Sequence, residues 1–154
     1  MIIVGYQGIG KSTLCCSEKQ LGYIDLESSN FFVDGKRDDN WYKIYCNIAM
    51  HLSQQGYRVF MSSHEVVRKE LSTCKERKVI ICPSQELRDQ WVARLGDRYL
   101  FTELEKDYKA WQNAVDRYDE NISELLADEN FEHYIIKDMN YMLRDIFNRL
   151  DEQN

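Results

Sequence analysis

The residues best suited to chemistry stand near the start of the chain. Gly5-Tyr6-Gln7-Gly8-Ile9-Gly10-Lys11-Ser12-Thr13 fits Gly-x-x-x-x-Gly-Lys-[Ser/Thr], the phosphate-cradling P-loop pattern. Gly5, Gly8 and Gly10 let the backbone around Ile9 wrap close to a polyphosphate without Cβ clashes. The N–H groups of the turn and of the helix that follows then face the anion. In that arrangement Lys11 reaches the β- and γ-phosphates, the Ser12 hydroxyl holds Mg²⁺, and Thr13 lies near the α-phosphate. The cofactors expected are ATP and Mg²⁺, although Gly-Lys-Ser-Thr alone does not distinguish ATP from GTP.

A second pair of groups follows at Asp25 and Glu27. Two residues apart on a strand, both leave the same face. Ligands of open parallel sheets bind beyond the carboxyl ends of the strands. One acid could organise Mg²⁺, with Asp25 the candidate beside Ser12. The other could accept a proton from an acceptor hydroxyl. Strand 3 ends Val59-Phe60-Met61-Ser62-Ser63 and carries no acid, which strengthens Asp25 as the metal-side residue. Arg94 and Arg98, four apart, share a helix face if the helix continues past Gly96. A guanidinium suits the equatorial oxygens of a transferring phosphoryl group. Ser62, Ser63 and His64 occupy a strand tip that could touch an acceptor. Phe31, Phe32, Trp41 and Tyr42 could stack on a nucleobase, although Trp41 also begins a helical apolar stripe.

The elements that must position these groups alternate along the chain. Met1-Ile2-Ile3-Val4 reads as a buried strand, followed by the glycine-rich turn and a helix to about Lys19. Tyr23–Glu27 reads as strand 2 and 28–40 as a polar loop. A helix covers roughly 40–55 and ends at Gly56. Tyr57–Met61 is strand 3, followed by a short helix from Glu65 to Leu71. Lys78–Cys82 is strand 4. Ser84 then caps a helix running to Leu95, and Gly96 ends it. Thr102 and Glu105 suggest a capping box for a long helix over about 103–127. Phe131–Ile136 is strand 5, and a last helix spans about Asn140 to Leu150. Such apolar strands separated by helices imply an α/β fold, a parallel sheet covered on both faces.

Composition narrows the functional classes. The chain has 154 residues, enough for one domain with its own core. A net charge of −6 argues against general nucleic-acid binding, which needs a basic face. The five cysteines lack metal-ligand spacing and read as reduced thiols of a cytoplasmic protein. Structure beginning at residue 2 leaves no stretch that reads as a signal peptide, and no apolar run has the length of a membrane helix. Leu104, Tyr108, Trp111, Val115, Tyr118, Ile122 and Leu125 alternate at spacings of four and three. This seam of the 103–127 helix could pair two copies of the chain.

The residues quoted resemble the small P-loop kinases of the nucleoside monophosphate kinase, shikimate kinase and gluconate kinase group. Asp25-Leu26-Glu27 is similar to the Asp-x-Asp that ends strand 2 in shikimate kinases. Ser62-Ser63-His64-Glu65-Val66-Val67-Arg68 resembles the gluconate kinase segment after strand 3, although His64 and Glu65 stand where those enzymes place a lysine. Val79 to Arg98 looks like the strand, helix and arginine-bearing lid of the group. Lys137-Asp138 falls where the group closes over adenine. The resemblance implies a three-layer P-loop NTPase fold with strand order 2-3-1-4-5 and a lid at about 96–110. It also implies ATP- and Mg²⁺-dependent phosphoryl transfer to a small-molecule acceptor. A nucleotide or nucleoside acceptor is expected from the aromatic segment. A small polyol or acid metabolite, or a non-catalytic role in binding ATP, stands as the alternative.

Overall fold

The computed structural model describes residues 1–18 and 21–152. Five strands form one sheet: β1 (Ile2–Gly5), β2 (Tyr23–Asp25), β3 (Arg58–Met61), β4 (Lys78–Pro83) and β5 (Glu132–Ile136). Their order is β2-β3-β1-β4-β5, and every pairing is parallel. Around it lie α1 (Lys11–Ser17), α2 (Trp41–Gln54), α3 (Glu65–Leu71), α4 (Arg88–Thr102), α5 (Glu105–Leu126) and α6 (Leu143–Glu152). Among the described residues no helix is long and apolar enough to cross a membrane.

The centre of the sheet is dry on both sides. Ile2, Ile3 and Val4 are fully buried, and successive strand residues point to opposite faces, so both faces of β1 are covered. Phe147 of α6 packs edge-on against Phe60 of β3 at 5.7 Å, with Tyr23 of β2 at 5.5 Å. α2 packs on β1 and β3, and α5 packs on β4.

Several boundaries differ from those expected, and four of the differences have a local reason. The helix expected to run to Lys19 is described as Lys11–Ser17, and Lys19 itself lies outside the described residues. β2 stops at Asp25, and Glu27 precedes a 3-10 turn at Ser28–Phe31. Glu27 therefore owes its direction to that turn rather than to the strand pleat. Asn140 spends its N–H on Asp138 Oδ1 at 2.8 Å, and α6 begins at Leu143 instead.

The fourth difference shapes the molecule most. Gly96 does not end α4, which continues to Thr102. A Cβ on Gly96 would sit 3.1 Å from Trp111 Nε1, so this glycine permits close approach of α4 and α5. The reversal comes at Glu103, in the left-handed region at φ 54°. The expected capping box does not form, because α5 begins at Glu105 with Leu104 before it, and Thr102 Oγ1 donates to Asp107 Oδ2 at 2.6 Å. Residues 96–110 are thus the tip of a helical hairpin. The seam along α5 is split by non-helical backbone at Arg117 (φ −137°, ψ 21°). Tyr118, Ile122 and Leu125 beyond it are buried in the chain's own core. Leu104, Tyr108 and Val115 before it are exposed, and Trp111 stacks on Tyr99 at 6.0 Å.

Candidate active site at the carboxyl edge of the sheet

The glycine-rich turn leaves the carboxyl end of central β1 and enters α1. Gly8 and Gly10 hold φ of 83° and 99°, values that side-chain-bearing residues rarely adopt. Gly10 caps α1, and its carbonyl accepts from Leu14 N at 3.0 Å. Gly5 is needed for space, since a Cβ there would lie 2.5 Å from Ile9 Cδ1. The Ile9 side chain is buried beneath the turn. Ile9 therefore offers only its backbone to a ligand, whereas Ser12 and Thr13 are exposed.

Lys11, Ser12, Asp25 and Glu27 come together here. Lys11 Nζ donates to Gly5 O at 3.2 Å. Burial pushes the Lys11 ammonium below its ordinary pKa, while the charges of Asp25 and then Glu27 oppose that shift. Ser12 Oγ donates to Asp25 Oδ2 at 2.6 Å. Glu27 is partly buried and accepts from Ser29 Oγ at 3.4 Å. The Ser12 hydroxyl and Asp25 carboxylate are hard oxygen donors, the kind Mg²⁺ takes alongside water and phosphate oxygens. Among the described residues no cluster of three or more His, Cys, Asp or Glu could by itself hold a metal. A Mg²⁺ ion here would therefore need a phosphate and water to complete its shell.

The two arginines part company. Because α4 is continuous they share one face, but Arg94 turns to the glycine-rich loop and Arg98 to α5. Arg94 Nη1 donates to Tyr141 Oη at 2.9 Å and to Gly8 O at 3.5 Å. Its guanidinium lies 4.7 Å from the Trp91 ring centre. Arg98 forms an ion pair with the buried Asp107, and its Nε donates to Oδ1 at 2.7 Å. Arg98 is still close enough for its charge to depress the Lys11 pKa. Sequence reasoning missed Trp91, whose Nε1 donates to Gln7 O at 2.8 Å. It also missed Tyr141, whose hydroxyl donates to Ile9 O at 2.8 Å. Trp91 carried a faint signal, one turn from Leu87 and Leu95 on the buried face of α4.

The β3 tip is knitted to β2 by Tyr45. Its hydroxyl donates to Leu26 O at 2.6 Å and accepts from Ser62 N at 2.9 Å. Ser62 Oγ is buried without a partner among the described residues. His64 meets Trp41 edge-on at 5.7 Å. Burial and then the Arg37 charge hold the imidazole below its usual pKa, so it is neutral at pH 7. The aromatic residues after β2 do not form an open slot. Arg37 sits between the Phe32 and Trp41 rings, 4.2 Å from each, and Nη2 donates to Ser28 O at 3.1 Å.

The chain matches no model of a known protein family, and no curated protein matches it significantly.

Proposed function

We propose that the chain is an ATP- and Mg²⁺-dependent phosphotransferase of the small P-loop kinase type. The supporting observation is the 2.6 Å contact between Ser12 Oγ and Asp25, made beside Lys11 on a turn with two left-handed glycines. In this reading Gly5, Gly8, Ile9, Gly10, Lys11, Ser12 and Thr13 form the phosphate cradle. Ser12 and Asp25 hold the metal, whose role is to neutralise charge on the phosphates. Glu27 is the candidate base for the acceptor hydroxyl. Lys11 supplies positive charge to the phosphates, Arg94 braces the loop through Gly8 O, and Arg98, paired with Asp107, adds only its field. The acceptor in this reading is a small molecule that carries a hydroxyl, and a nucleotide or nucleoside is the first class to test.

A second reading is favoured by the β3 tip. Arg37 fills the space between Phe32 and Trp41, and Ser63 lies just beyond the end of β3. That arrangement suits a small polyol or acid better than a stacked base. The test is ADP formation by the pure protein with Mg²⁺ and ATP, alone and then with pools of nucleotides, nucleosides, and sugars or sugar acids. Turnover in one pool names the acceptor class. ATP binding without turnover in any pool would turn the reading into a non-catalytic ATP-binding protein.

A further inference from the structure

The outer side of the glycine-rich loop is gripped by a frame drawn from two distant parts of the chain. Three consecutive carbonyls are held there. Trp91 Nε1 takes Gln7 O at 2.8 Å, Arg94 Nη1 takes Gly8 O at 3.5 Å, and the Tyr141 hydroxyl takes Ile9 O at 2.8 Å. The frame is itself ordered. Trp91 and Tyr141 stack at 6.1 Å with planes 13° apart. Arg94 donates to the same Tyr141 oxygen, so that hydroxyl must send its hydrogen to Ile9.

Peptide planarity converts this grip into a statement about donors. Among the described residues no peptide is cis, and a trans peptide points each carbonyl opposite to the next N–H. Holding the Gln7, Gly8 and Ile9 carbonyls outward turns the N–H groups of Gly8, Ile9 and Gly10 inward. Among the described residues the N–H groups of Gly8 and Gly10 find no backbone acceptor, and that of Ile9 has only the weak closure of the Gln7–Gly8 turn.

We infer that Trp91, Arg94 and Tyr141 are positioning residues that preset the loop for a polyphosphate before any ligand arrives. This rests on the reading of the loop as a phosphate site. A loop already in its bound shape loses less freedom on binding, and the gain appears as affinity. The effect belongs to the phosphate chain and not to the base.

Tyr141→Phe tests this, because it removes one oxygen and keeps the stacked ring. Binding of tripolyphosphate and of ATP, each with Mg²⁺, is measured by calorimetry for wild type and variant. Both affinities are expected to fall by about ten-fold, the scale of one lost hydrogen bond. In the unliganded variant, the amide resonances of Gly8, Ile9 and Gly10 should move while those of β1 residues Ile2 to Val4 stay. A loss for ATP alone would assign Tyr141 to the base and overturn the inference. So would unchanged affinities, or unmoved loop amides. Wild type that binds neither probe would overturn the phosphate reading itself, a failure distinct from the other three.

Discussion

Asp25 Oδ2 accepts the Ser12 hydroxyl at 2.6 Å, joining the end of β2 to the first turn of α1. In the proposed reading these two oxygens are released from each other to meet a metal. The ammonium of Lys11 lies in the field of the same carboxylate. Asp25 thus has two roles that a single substitution can separate.

Lys11→Ala should weaken nucleotide binding and also slow turnover. Asp25→Asn should leave ATP binding nearly intact while turnover falls on the order of 10²-fold or more. Asparagine preserves size and can still accept from Ser12, so packing damage is small. Glu27→Gln completes the comparison, because the variant that loses Mg²⁺ dependence marks the metal-side acid. Wild-type turnover by Asp25→Asn would remove Asp25 from the site.

The Lys11 ammonium should carry a pH signature. Its pKa is lowered by burial and raised by Asp25 and Glu27, in that order. Removing either acid removes a raising influence, so Lys11 should give up its proton at lower pH. The alkaline limit of polyphosphate binding should therefore move down in Asp25→Asn, and by less in Glu27→Gln. Calorimetric titrations across the alkaline range check the direction. An upward move in either variant would contradict the assignment.

Tyr45→Phe should destabilise the fold while barely changing its shape. The substitution strips a partner from Leu26 O and from Ser62 N at a fully buried position. Stranding buried backbone groups costs about 1–3 kcal/mol. Urea unfolding should show a lower midpoint with an unchanged slope. A midpoint equal to wild type would mean that water replaces the hydroxyl.

Asp107 should make the α4–α5 hairpin acid-sensitive. Burial pushes its carboxyl up, but the bonds from Thr102 and Arg98 outweigh that and hold it below its ordinary value. A depressed folded pKa contributes stability above the unfolded pKa, about 3.9 for aspartate. That contribution is lost as pH falls through the lowered folded value. Asp107→Asn should melt at a lower temperature than wild type at pH 7, and the gap should narrow below about pH 4. A gap independent of pH would mean that Asp107 acts by packing alone.

Much of the fold was legible because apolar periodicity is a local property. Ile2 to Val4 and Val79 to Cys82 announce buried strands, and the spacing from Trp41 to Leu52 announces α2. The phosphate-loop pattern is local too, whereas the place of β1 at the centre of the sheet was expected only from the resemblance. What escaped is made of long-range pairings. The bond from Trp91 to Gln7 spans 84 positions, and that from Tyr141 to Ile9 spans 132. No window of sequence contains both partners. Gly96 was misread because a glycine that stops a helix and one that admits a neighbouring indole look alike until Trp111 is placed. The place of Arg37 has no local signal, since nothing nearby says that Phe32 and Trp41 close on it.

The strand order carries a consequence for how the chain is made. β1 is the central strand, yet its two neighbours pair it through Val59 to Met61 and through Lys78 to Ile81. At about 5–20 residues per second, residue 78 leaves the ribosome roughly four to fifteen seconds after residue 2. Throughout that interval Ile2, Ile3 and Val4 have no completed sheet to enter. Parallel pairings this distant are slow to form even afterwards, because loop closure precedes any gain from contact. The segment on which the site is built thus also waits for both of its sheet partners during synthesis.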